Sequence, residues 1–173
     1  MRSKKIYLND KMTHDQENEV LDFCRIKKIF DKGFGFLSSL HHSENVFFHF
    51  SKITDSSKRN TLENLQRGVV SVFFTSKISN GKRKVDKVWL DIAEVPHILI
   101  PNFIDRLILE LNDGTVNPFE IIDALNQVKS IDKLSDEHFQ QIISSKKIQI
   151  NPSILDKIFS EEEKAKQFSN SGN

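Results

Sequence analysis

Two short segments, Lys32-Gly33-Phe34-Gly35-Phe36-Leu37 and Val46-Phe47-Phe48-His49-Phe50, constrain this chain more than any other feature of it. Both suit an extended strand, in which successive side chains point to opposite faces. Phe34 and Phe36 then share one face, and Phe47 and His49 share one face of the neighbouring strand. The opposite parity holds Leu37, Val46 and Phe48, which make an adequate inward face by themselves. Phe34, Phe36 and Phe47 are therefore expected outside, and pairing the two strands joins them into one aromatic platform. Gly33 and Gly35 are expected to keep that platform uncluttered and to let the chain bend.

The aromatic set is lopsided, with 14 Phe against one Tyr and one Trp, and several of the Phe are clustered. Around the two segments, short runs of β-branched and aromatic residues alternate with turn signals, the pattern of a small all-β domain. The runs are 23–30, 35–39, 45–49, 69–76 and 84–92, which predict five strands. Asn80-Gly81 is a hairpin signal, because both central positions of a type I′ turn need positive φ. The polar stretch from Thr54 to Leu65 is expected to be a break between strands.

After Pro96 the apolar period becomes helical. Phe103, Leu107, Ile108 and Leu111 share one face; a second helix opens with Asn117 as cap and Pro118 in the first position, burying Phe119, Ile122, Leu125 and Val128. Two further helices are expected over 135–144 and from Asn151 to about Lys166. The halves differ in charge: 13 Lys and Arg against 6 Asp and Glu over 23–92 (+7), but 8 against 12 over 96–173 (−4). A basic module is followed by an acidic one. Arg25, Lys27, Lys28, Lys32 and Lys52 lie close in sequence to the aromatic segments, giving the mixture of stacking and phosphate attraction that single strands require.

Lys-Gly-Phe-Gly-Phe-Leu and Val-Phe-Phe-His-Phe resemble, as a pair, the two nucleic-acid-binding motifs of cold-shock domains. The resemblance extends more weakly from about Arg25 to Val88, through Phe50-Ser51-Lys52-Ile53 and through Leu65 with Gly68. It implies a five-stranded OB-type barrel that binds single-stranded RNA or DNA with modest sequence preference. By position it implies Phe34, Phe36, Phe47, His49 and Phe50 as the base-contacting set and Lys32 as a phosphate contact. Lys28, Phe30 and Lys52 complete the expected nucleic-acid-binding residues. Where the family carries Lys-Trp-Phe-Asn in its first strand, this chain has Lys27-Lys28-Ile29-Phe30-Asp31, so the stacking tryptophan is absent. Two registers are open, with Phe30 or Ile29 at the platform position. The family's loop phenylalanine is also missing from 54–63.

The expected architecture is thus an all-β, cold-shock-like OB barrel over 23–94 followed by a small all-α module over 96–168, α+β as a whole. A polar lead over 1–22 and a disordered tail over 169–173 flank them. His41-His42 lacks a Cys or carboxylate at metal-ligand spacing, so no metal is expected. The sequence offers no phosphate loop, paired carboxylates or Ser/His/Asp signature, which argues against an enzyme and against a cofactor. The single cysteine, Cys24, excludes an internal disulfide, and no segment reads as a signal peptide or membrane span. A cytoplasmic location is expected. The helical module, with short helices that bury little surface alone, suggests a homodimer or a protein partner through 96–168. The rival to nucleic-acid binding is an adaptor whose helices carry the function.

Overall fold

The computed structural model describes residues 19–26, 33–63 and 70–171, and within these every side chain but those of 61–63, 170 and 171. The chain divides after Glu94 into two compact units. The first holds five strands: β1 (Asp22–Ile26), β2 (Phe34–Leu37), β3 (Val46–His49), β4 (Val70–Ser79) and β5 (Lys82–Trp89). They form one sheet in the order β1-β4-β5-β3-β2, antiparallel except for the parallel β3–β5 contact.

Alternation along the strands builds the core on one face. Cys24, Leu37, Val46, Phe48, Val72, Phe74 and Val85 are buried together there. At the β4–β5 hairpin Asn80 and Gly81 take φ of 53° and 77°, so the turn twists with its strands. Between Thr75 and Ser76 the register slips: Thr75 faces Lys87 and Ser76 faces Val85. Asp86 is therefore an extra residue on β5, and this bulge re-phases the strand so that both Val85 and Val88 reach the core side.

The two end strands of this sheet, β1 and β2, share no backbone ladder among the described residues. Side chains link them instead. The buried Asp22 of β1 accepts hydrogen bonds from the Leu40 N–H (2.7 Å), the Phe23 N–H (2.9 Å) and the Ser39 hydroxyl. Cys24 Sγ lies 3.4 Å from Ser38 Oγ, and His41 Nε2 donates to the Leu21 carbonyl at 2.9 Å. These bonds fasten the segment after β2 to β1 and its preceding residue. Leu21 and Asp22, placed in a polar lead by sequence, are thus buried structural residues.

The stretch expected as a break contains a helix, α1 (Ser56–Glu63). Asp55 starts it, its Oδ1 accepting from the Ser57 N–H (2.9 Å) and the Lys58 N–H (3.2 Å).

The second unit contains α2 (Ile100–Asp113), α3 (Pro118–Ser130), α4 (Asp136–Ile143), α5 (Lys146–Ile150) and α6 (Glu161–Ser171). Phe103, Leu107, Ile108 and Leu111 of α2 are all buried. Asn117 caps α3 through its Oδ1 and the Phe119 N–H at 2.9 Å, yet Phe119 itself stands 58% exposed; Ile121 and Ala124 fill the buried face with Ile122, Leu125 and Val128. The helix expected over 151–166 is two pieces, a 3-10 turn (Pro152–Lys157) and α6. A capping box divides them: Ser160 Oγ accepts from the Glu163 N–H at 3.1 Å, and Glu163 Oε1 accepts from the Ser160 N–H at 2.8 Å. The Glu161-Glu162-Glu163 run is thus a helix start, where negative charge complements the dipole, and α6 runs to Ser171, into the segment 169–173 that the sequence suggests as a disordered tail; 172 and 173 lie outside the described residues. Among the described residues no helix is long and apolar enough to cross a membrane.

Candidate nucleic-acid interface

The antiparallel pairing of β2 with β3 places Phe34 opposite His49, Gly35 opposite Phe48, Phe36 opposite Phe47 and Leu37 opposite Val46. Both strands alternate, so one face of the pair carries Phe34, Phe36, Phe47 and His49. The three rings form a continuous cluster, with centroids 5.8 Å apart for Phe34–Phe47 (27° between planes), 5.7 Å for Phe36–Phe47 and 6.3 Å for Phe34–Phe36. Phe36 is 54% exposed, His49 is exposed, and Phe34 and Phe47 are half-buried against their neighbours.

His49 is held in one orientation. It caps a 3-10 turn (Phe50–Lys52), its Nδ1 accepting from the Ser51 N–H at 3.1 Å with Ser51 Oγ at 2.9 Å. A backbone N–H can only donate, so Nδ1 is unprotonated and a neutral ring carries its proton on Nε2. The imidazole therefore presents an N–H donor from the exposed face.

Phe50 belongs elsewhere. β3 ends at His49, and Phe50, two residues past Phe48 and of the same inward parity, opens the following turn with its ring in the core, 5% exposed and 5.6 Å from Phe48. Its N–H donates to the Gly33 carbonyl at 3.0 Å, anchoring the start of β2. This corrects its expected place among the base-contacting side chains. Gly35 is corrected too, since it stands opposite the buried Phe48 on the core-facing parity and does not clear the platform. Gly33 has φ +78°, a conformation that glycine adopts without strain, with nothing within 4 Å of where a Cβ would stand. Lys28, Phe30 and Lys32 lie outside the described residues.

Lys52 is exposed at the edge of the site, and a cation that sequence reasoning missed lies beside it. The parallel β3–β5 contact sets Lys84 next to Phe47. No local signal reveals this, because it depends on which strand pairs with β3. His41, expected as loop polarity, has its ring engaged with Leu21.

Residues 25–90 match the family model described as the 'Cold-shock' DNA-binding domain. The N-terminal half contains a cold-shock domain. This match spans the sheet from β1 to just past β5, including the ring cluster, and stops short of the helical unit. Neither a curated protein nor a solved structure matches the chain. The cold-shock domain is a nucleic-acid-binding family, single-stranded ligands in general, and the helical unit lies outside what that family describes.

Proposed function

We propose that the cold-shock domain of this protein binds single-stranded nucleic acid, RNA first and single-stranded DNA second, by stacking successive bases on Phe34, Phe36 and Phe47. The supporting observation is the cluster of three rings on one outward face, joined by His49 and flanked by the lysines at 52 and 84. Base faces are available to such rings only when the strand is unpaired, since in a duplex each face is covered by its neighbour. Stacking is worth about 1–3 kcal/mol per base and tolerates any base, so modest sequence preference follows. The sheet is the greater part of an OB-type barrel whose end strands are drawn together through Asp22. Binding without strong sequence choice suits an RNA chaperone or a regulator of gene expression acting in the cytoplasm.

The test is fluorescence anisotropy with labelled single-stranded and duplex oligonucleotides at two salt concentrations, for the parent and the Phe34→Ala/Phe47→Ala double variant. Stacking requires single-strand preference and a large loss in the double variant. Equal binding of both ligands, sensitive to salt but not to the ring deletions, would leave only a charged surface and refute the proposal.

A second reading concerns the helical unit. Ile98, Leu109, Phe119, Ile150 and Phe168 are large apolar side chains between 46% and 84% exposed. Such exposure supports recruitment of a protein partner or a second copy through this unit, which light scattering of the full chain across a concentration series tests.

A further inference from the structure

Beside the ring cluster lies a groove of about 390 Å³, at the small end of the roughly 300–1,000 Å³ that holds small ligands. Phe47 and His49 form one wall. The other is the β4–β5 hairpin, through Lys77 and Ile78 of β4 and Lys84 of β5, with Lys52 also lining the groove. Its charge is positive, three lysines against Asp86, and Asp86 stands 3.6 Å from Lys77. The ammonium groups of Lys52 and Lys84 have no ion-pair or hydrogen-bond partner among the described residues. An ammonium group on a groove wall without a carboxylate of its own is a site for a phosphate. Phe47 belongs to both features: it is stacked against Phe34 and also lines the groove, so a strand lying on the rings is already at the groove's mouth.

We infer that the bound strand continues past Phe47 into this groove, where Lys84 and Lys52 take the phosphodiester of one further nucleotide, so that the β4–β5 hairpin sets the length of strand engaged. This rests on the single-strand reading of the ring cluster. Ile78 and Phe47 offer apolar surface to a base, and the phosphodiester contact itself carries no sequence information. Lys77, tethered to Asp86, contributes field more than direct contact.

The experiment uses the full chain and a length series of labelled oligouridylates, read by anisotropy at several salt concentrations. The variants are Lys84→Ala, Lys52→Ala and, as a control of equal charge, Lys87→Ala, whose ammonium is bonded to Glu19 outside the groove. The parent should gain affinity with length until the groove is filled. Lys84→Ala and Lys52→Ala should each reach their plateau at a shorter oligonucleotide and lower the slope of log K against log salt by about 0.7, while Lys87→Ala changes neither. Unchanged length dependence and slope in Lys84→Ala overturns the inference, as does an equal effect of Lys87→Ala, which would show a diffuse field. A parent that binds no oligouridylate or oligodeoxythymidylate of any length refutes the single-strand reading itself, an outcome distinct from failure of the groove.

Discussion

Phe36 and Phe50 come from the same pair of motifs, yet the structure gives them opposite tasks, and exchanging each for alanine should separate affinity from stability. Phe50 is 5% exposed and packs on Phe48, so Phe50→Ala removes a buried ring and leaves a cavity, at a cost of about 3–5 kcal/mol. Against a total of about 5–15 kcal/mol for a typical domain, that is a large fraction. With a urea m-value of about 1–3 kcal/mol/M, the midpoint should fall by roughly 1–5 M. Phe36 is 54% exposed and meets Phe34 and Phe47 in edge-on ring pairs, so Phe36→Ala should cost about 0.5–1.5 kcal/mol of stability. Its loss should instead appear in binding, about 1–3 kcal/mol for one base, a factor of roughly 5–150 in Kd. The slope against salt should stay at the parent value, because no charge is removed. Trp89, the one tryptophan in the chain, lies at the end of β5 and reports unfolding of this sheet by fluorescence. Binding is measured by anisotropy at low urea, where both variants are folded. If Phe50→Ala keeps the parent midpoint and loses affinity while Phe36→Ala keeps its affinity, the assignment of rings to core and surface is wrong.

Asp22→Ala should lower the unfolding free energy read from the same transition by about 2–4 kcal/mol, because the Leu40 N–H and Ser39 hydroxyl lose their buried acceptor; Asp22→Asn should recover part of this. Gly114→Ala should destabilise the helical unit by about 1–3 kcal/mol in a circular-dichroism melt. The backbone there (φ −78°) suits any residue, but a Cβ would stand 1.8 Å from Glu110 Oε1 and 2.7 Å from Glu110 Cα, so the obstacle is space. Glu163 should make the helical unit acid-sensitive. The Lys129 ammonium, with the Ser160 N–H, holds its carboxyl below the usual carboxylate range. A depressed folded-state value stabilises the protein above the unfolded value and is lost as pH falls through the folded one, so Glu163→Gln should lose stability near neutrality and flatten that acid limb in melts across pH.

The parts of the site that were legible in sequence are those that depend on neighbours along the chain. Period-two alternation separates Phe47 and His49 from Val46 and Phe48, and the Asn80-Gly81 turn needs nothing beyond its own two residues. Ser160 and Glu163 also held a local signal, a capping box, hidden by the run of glutamates in which it sits. Asp55 likewise marks a helix start that polarity alone disguised.

By itself, then, the amino-acid order determined which side chains can share a face, where helices start at Asn117 and Ser135, and that the two halves differ in period and charge. Tertiary structure decided how far each alternation runs and what lies across from it. Asp86 shifted the phase of β5, and Asp22 became buried because Leu40 and Ser39, far along the chain, close over it. Lys84 joined Phe47 only through the parallel pairing of β3 with β5. The physical reason is the same in each case: a strand's pleat is dictated by local backbone geometry, whereas its partner, its register and its end are chosen by hydrogen bonds and packing between residues distant in sequence.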